Sequence, residues 1–146
     1  MPQEHLNWMQ SYIEKLCETP ILENFLGLQF VRLEEGRVTL TALIEQKHCN
    51  LYGFVHGGTL SSISDIAMGV ACMSQGKRVV TIDMSVSYIK NAPSGSELTA
   101  IGTVISSGRT IMRAVGEIYC GEQLLVRSQA SYYVTGDFSE NDCAPA

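Results

Sequence analysis

The segment from Gly57 to about Ser74 constrains the fold of this 146-residue chain more than any other. Leu60, Ile63, Ala67, Val70 and Ala71 fall at helical spacing, with Ile66, Met68 and Met73 off that face, so the helix is apolar nearly all round. Such a helix has to be covered on most sides, and the neighbours available to it are strands. Within it stands one carboxylate, Asp65, whose burial is costly unless something pairs with it or uses it.

The strands follow from alternation. RVTLTALI alternates Val38, Leu40, Ala42 and Ile44 with Arg37, Thr39, Thr41 and Leu43, and a second extended run precedes it across EEG. In VVTIDMSVSYI, strict alternation puts Val80, Ile82, Met84, Val86 and Tyr88 on one face and Thr81, Asp83, Ser85 and Ser87 on the other. Three further strand-like runs follow, separated by NAPSGS, SSGRT and CGEQ, and turns this short make antiparallel neighbours. Upstream, Leu6, Met9, Ile13, Leu16 and Cys17 recur at steps of three and four, which predicts an amphipathic helix ended by Pro20. The expectation is one domain over residues 1–146, with an N-terminal helix in 1–20 and a polar tail at 137–146 that frays. The class is α+β: a curved antiparallel sheet of five to six strands wrapped around a long central helix. The helix face left uncovered should be apolar, and an exposed apolar patch of that size marks a partner surface, which predicts at least a dimer.

Composition excludes several function classes. A net charge of −5 with basic residues scattered along the chain argues against nucleic acid as a partner. No apolar run reaches membrane-spanning length, and MPQEHLNWMQ has no cationic start followed by an apolar core, so the expected location is the cytoplasm. Five cysteines without a CxxC pair fit reduced thiols, with Cys72 and Cys120 as buried small hydrophobes. His48, Cys49 and His56 lack a second cluster at ligand spacing, so no metal is expected. His5 and His48 read as surface residues, and Trp8 as part of the first helix.

The chemistry resides around the central helix. His56-Gly57-Gly58 stands at its start, where unpaired backbone N–H groups and the positive end of the helix dipole suit a developing oxyanion; Gly-Gly is also a common turn into a helix. Asp65 has a structural reading, as a satisfied buried carboxylate or one that faces water on a narrow polar strip with Ser61, Ser62 and Ser64, and a functional one, as a general base or nucleophile. Gly57 and Asp65 are separated by eight residues, or about 12 Å along the axis, so one helix cannot bring both to one acyl group. Two helices packed antiparallel across a two-fold axis bring the start of one to the middle of the other. Asp83 shares the expected polar face with Thr81 and is a weaker acid/base candidate.

Asn50, the block His56-Gly57-Gly58, Asp65, the strand VVTIDMSVSYIKNAP and the turn SSGRT together resemble the hotdog-fold thioesterases of the phenylacetate-degradation (PaaI) type, which include the mammalian thioesterase superfamily member 2. The resemblance runs from about Leu26 to Thr135. It implies hydrolysis of an acyl-CoA thioester by a homodimer or a dimer of dimers. It further implies that the Gly57 N–H polarises the carbonyl, that His56 and Asn50 hold the loop and position substrate or water, that Asp65 of the other subunit is base or nucleophile, and that Thr81 holds the attacking water. Gly58, Lys90 and Arg109 are the substrate-binding candidates, the two cations for the phosphates of CoA. Coenzyme A enters only as part of the substrate, and no cofactor or metal is implied. Two alternatives stay open: a non-catalytic acyl-CoA sensing module, for which the basic DNA-binding extension is missing, and a hydratase or dehydratase, whose His-plus-acid segments are missing. The acyl group depends on how Leu60, Ser64, Tyr88 and the N-terminal helix pack.

Overall fold

The computed structural model describes residues 2–142 and contains six strands and three α-helices. α1 (Gln3–Leu16) is followed by the short α2 (Leu22–Leu26), the hairpin β1 (Gln29–Glu34) and β2 (Arg37–Leu43), the central α3 (Gly57–Met73), and then β3 (Lys77–Tyr88), β4 (Glu97–Ser107), β5 (Ile111–Cys120) and β6 (Gln123–Asp137). All neighbours are antiparallel, in the order β1-β2-β4-β5-β6-β3, so β1 and β3 are the edges. The sheet buries one face against α3.

Close contact between helix and sheet depends on small residues in the middle of the strands. A Cβ at Gly102 of β4 would stand 2.2 Å from the carbonyl oxygen of Ala67 on α3. At Gly116 of β5 it would meet the Ser128 hydroxyl and Met68. With no side chains at these points, Ala67, Met68 and Ala71 of α3 descend to the sheet surface and are fully buried. Ser74, just past the helix, is also buried and accepts the Gly36 N–H at 2.7 Å, which ties the β1–β2 turn to the end of α3.

α1 buries Leu6, Met9 and Ile13, as its periodicity predicts, and ends four residues before Pro20. The Asn24 amide donates to Cys17 O at 2.8 Å, so α2, which the sequence reading did not foresee, caps α1. α2 itself ends at Gly27, whose φ of 66° is the left-handed conformation glycine adopts at low cost. The fraying expected of the tail does not begin at residue 137. Phe138 is buried and packs against Trp8 and Tyr12 of α1, while residues 143–146, Cys143 among them, lie outside the described residues.

Two expectations about faces are corrected. The strict alternation along β3 fails at Ile82, where a β-bulge inserts one extra residue between the pairs Thr81↔Tyr132 and Asp83↔Ser131. The bulge reverses the phase, so Thr81 shares its face with Met84 and Val86 instead of with Asp83. The open face of α3 is also not the continuous apolar surface expected. It carries Gly58, Ser61, Ser62, Asp65, Ile66, Gly69 and Met73, a stripe in which only Ile66 and Met73 are large and apolar. Ser64 is not on that strip; it is buried and donates back to Leu60 O at 2.9 Å.

Candidate active site

Asp65 is half-buried on the open stripe of α3, and two hydroxyls converge on one of its carboxylate oxygens. Thr81 Oγ1 and Tyr132 Oη each donate to Asp65 Oδ1 at 2.8 Å. The Tyr132 hydroxyl also lies 2.9 Å from the Asp65 backbone oxygen. Oδ2 accepts no hydrogen bond among the described residues, so the carboxylate is anchored through one oxygen and presents the other. Thr81 reaches Asp65 because of the Ile82 bulge; Asp83, after the bulge, faces away and takes no part. Tyr132 is 2% exposed. Burial first and the Asp65 charge second push its phenol above the ordinary range, so it stays protonated and serves as a donor.

The carboxylate borders a cavity of about 250 Å³. α1 roofs it with Ile13, Leu16 and Cys17, and the rest of the wall comes from Leu28, Phe30, Ile66, Val70, Met73 and Val79 among others. Apart from Asp65, Thr81, Tyr132 and Glu23 the lining is mostly apolar. Leu60 and Ser64, expected to set its depth, are buried beneath the helix instead.

The second group of candidates lies at the start of α3. His56 is the N-cap: its Nδ1 accepts the Gly58 N–H at 2.9 Å, and Leu60 N donates to its carbonyl at 3.1 Å. The Gly58 N–H is therefore committed to the cap. The Gly57 N–H has no acceptor among the described residues and remains as the free donor at the positive end of the helix. Asn50 shapes the preceding loop, its Oδ1 accepting the N–H groups of Tyr52 at 2.9 Å and Phe54 at 3.2 Å. Asn91 supports the same loop by donating to Val55 O at 3.0 Å, and the Tyr88 hydroxyl donates to Gly57 O at 3.2 Å. Neither supporting role was anticipated.

His48 is corrected from surface to core, being 1% exposed. Its Nδ1 accepts the Glu45 N–H at 3.0 Å and its Nε2 donates to Phe25 O at 2.6 Å, while its own carbonyl accepts from His56 N and Thr59 Oγ1. It links α2 to the start of α3, and both ring nitrogens are already used.

The structure thus assembles Asp65 with Thr81 and, separately, Gly57 with His56, Gly58 and Asn50. Lys90 and Arg109 are both exposed and lie at opposite ends of the sheet. Arg109 precedes Ile111, which aligns with Tyr133 and Val80 at the start of β3; Lys90 follows Tyr88 at its end, about 26 Å away along the strand. Asp65 and Arg109 occupy one end, Gly57 and Lys90 the other. Tyr132 was missed by the sequence reading. The available signal was its phase: it alternates with Val126, Ser128 and Ala130 on the buried face of β6, where a phenol needs a partner.

The same arrangement of sheet and helix recurs in known proteins. The chain is 27% identical to the acyl-coenzyme A thioesterase PaaI of Escherichia coli over 72% of its length and 74% of that protein. The structure of E. coli PaaI superposes with a TM-score of 0.82 at 23% identity, covering 91% of this chain and 98% of that one. Human acyl-coenzyme A thioesterase 13 is 26% identical over 70% of this chain and 76% of its own. The Streptococcus mutans protein smu.793, solved bound to acetyl CoA, is 28% identical with a TM-score of 0.77 over 84% of this chain and 97% of that one. The fold is the hotdog fold, as expected. The model of the thioesterase superfamily matches residues 52–127, from the Asn50 loop through α3 and into β6, and the chain belongs to that superfamily.

Proposed function

We propose that this protein hydrolyses acyl-CoA thioesters, with each reaction centre shared between two subunits of a homodimer. The observation that carries the reading is the anchored carboxylate: Asp65, held through Oδ1 by Thr81 and Tyr132, bordering an apolar cavity with its other oxygen free. The cavity suits an apolar acyl group. Oδ2 suits a water, with the Thr81 oxygen as a second acceptor for it.

In this reading Asp65 acts as general base. Water gives a proton to the carboxylate while its oxygen bonds to the thioester carbon, the negative charge collects on the former carbonyl oxygen, and the carbon–sulfur bond then breaks to release the CoA thiolate. The oxyanion needs a donor, and the two hydroxyls beside Asp65, those of Thr81 and Tyr132, are already committed to its Oδ1. A two-fold axis that sets two α3 helices antiparallel supplies the Gly57 N–H of the partner subunit, aided by the dipole of its helix. The same axis brings the Lys90 end of one sheet toward the Arg109 end of the other, so both cations flank one site and can meet CoA phosphates. The open stripe of α3 is rich in Gly58, Ser61, Ser62 and Gly69, which permits close approach of a second helix. Binding of acetyl CoA by the S. mutans relative supports CoA thioesters as the substrate class.

The test is free-thiol release from short, medium, long and aromatic acyl-CoAs. Native protein should turn over, and Asp65→Asn should lose about 10²- to 10⁴-fold in kcat, the usual worth of a placed acid/base group. Binding of the esters by both proteins without thiol release from either would overturn the reading in favour of a sensing module.

A further inference from the structure

Three of the four polar side chains on the cavity wall are joined to one another: Thr81 and Tyr132 both donate to Asp65. Glu23 is the fourth, and the reaction centre does not use it. It stands in the first turn of α2, half-buried, and its carboxylate makes no hydrogen bond or ion pair with any described residue. Its position is nonetheless fixed by the backbone around it. The Asn24 amide ties α2 to the Cys17 carbonyl of α1, Leu28 N donates to the Glu23 carbonyl at 3.2 Å, and Gly27 turns the chain from α2 toward β1. α1, α2 and β1 contribute one wall of the cavity, whereas Thr81 and Tyr132 belong to β3 and β6 at the opposite edge of the sheet. An acyl group whose thioester carbon lies at Asp65 therefore reaches across the cavity toward Cys17, Glu23 and Leu28.

The charge of the lining is one-sided, with two carboxylates and no Lys, Arg or His. The Cys17 thiol registers it: burial first, then the charges of Glu23 and Glu14, push this thiol up, so it stays protonated at neutral pH and does not compete for the acyl group as a nucleophile. A carboxylate without a partner, bordering a mostly apolar cavity, accepts a hydrogen bond strongly and repels a second carboxylate. Resting on the proposed hydrolysis of acyl-CoA, we infer that Glu23 is the specificity residue for the far end of the acyl group. The cavity favours acyl groups whose far end is a neutral hydrogen-bond donor, such as a primary amide, and turns away those that end in a carboxylate. The two ends have the same shape, so the size of the cavity cannot separate them; the charge on Glu23 can.

The test is the affinity of two CoA esters of matched chain length, one ending in a primary amide and one in a carboxylate. Calorimetry measures it on Asp65→Asn, which binds the ester without turning it over in the proposed reaction, and on the same chain carrying Glu23→Gln or Glu23→Lys. Asp65→Asn alone should bind the amide-ended ester at least about tenfold more tightly. Adding Glu23→Gln, which keeps the shape and removes the charge, should bring the two esters within about threefold of each other. Adding Glu23→Lys should reverse the order, a gain that damage to the fold cannot produce; should that variant fail to fold, Glu23→Gln carries the test. Equal binding of the two esters by Asp65→Asn, a ratio that Glu23→Gln leaves unchanged, or no binding of either ester would overturn the inference. Thiol release by the native chain reports separately on the catalytic reading. Hydrolysis without discrimination between the ends sinks this inference alone, and discrimination in binding without hydrolysis leaves it standing while the catalytic reading falls.

Discussion

Replacing Tyr132 with Phe removes one hydroxyl and almost nothing else. The ring remains in its buried place on β6, and the Asp65 carbonyl it also approaches retains its own helical N–H partner. What is lost is one of the two donors at 2.8 Å on Asp65 Oδ1. A hydrogen bond to a charged group contributes about 1.5–3 kcal/mol. That bond fixes the carboxylate in the orientation that presents Oδ2, and at about 1.4 kcal/mol per factor of ten its loss should lower kcat by about ten- to a hundredfold. The assay is thiol release from an acyl-CoA at neutral pH, with urea unfolding beside it. Thr81→Val should act in the same direction, and Thr81→Ser, which keeps the donor, should leave kcat near native. A Tyr132→Phe variant with native kcat and only a lowered urea midpoint would refute the reasoning: Tyr132 would then hold the fold and not the carboxylate.

Two further predictions concern stability. Gly102→Ala drives a Cβ to 2.2 Å from the Ala67 carbonyl oxygen and must push α3 off β4, at a loss of about 1–3 kcal/mol or more in urea unfolding; Gly136→Ala, where a Cβ meets nothing within 4 Å, should stay within about 0.5 kcal/mol of native. Equal effects at the two sites would contradict the close helix–sheet approach. Stability should also fall at alkaline pH, because burial pushes Cys72 up to about 12 and Tyr132 above the phenol range, so the folded chain keeps protons that the unfolded chain releases. Both contributions are complete below about pH 9 and are lost as pH rises, at up to about 1.4 kcal/mol per unit for each group. Urea midpoints unchanged between pH 8 and 10.5 would contradict this, and Cys72→Ala should reduce the slope.

Much of this was legible in the sequence because burial leaves a period. The apolar circumference of Gly57–Met73 announced a central helix, and the alternation of Val38, Leu40 and Ala42 announced a half-buried strand. Asp65 was legible as an anomaly within that apolar run. The bulge at Ile82 was not, because it exists only in the pairing of β3 with β6, residues about fifty positions apart; without it Thr81 appears to point away from Asp65. Tyr132 was hidden for the same reason, since nothing local to SYYV names a partner on α3. His48 looked like a surface residue because a polar side chain between Lys47 and Cys49 gives no sign that Glu45 and Phe25 will satisfy both of its nitrogens. α2 was too short to show a period, and Phe138 was the one large apolar residue in a polar tail, which α1 happens to bury.

The shared reaction centre is tested most directly by mixing two inactive chains. Gly57→Pro deletes the free N–H, and the helix tolerates it: proline suits the first helical position, His56 already has the extended ψ of 138° that a residue before proline prefers, and the nearest atom to a Cβ there is 3.7 Å away. Asp65→Asn keeps an acceptor for Thr81 and Tyr132. Each homodimer should be nearly inert. Refolded together at equal amounts, half of the dimers are mixed and each mixed dimer holds one intact site of two, so thiol release should recover to about one quarter of the native rate. Recovery near that value is what the account predicts; a mixture as inert as its parents would contradict it.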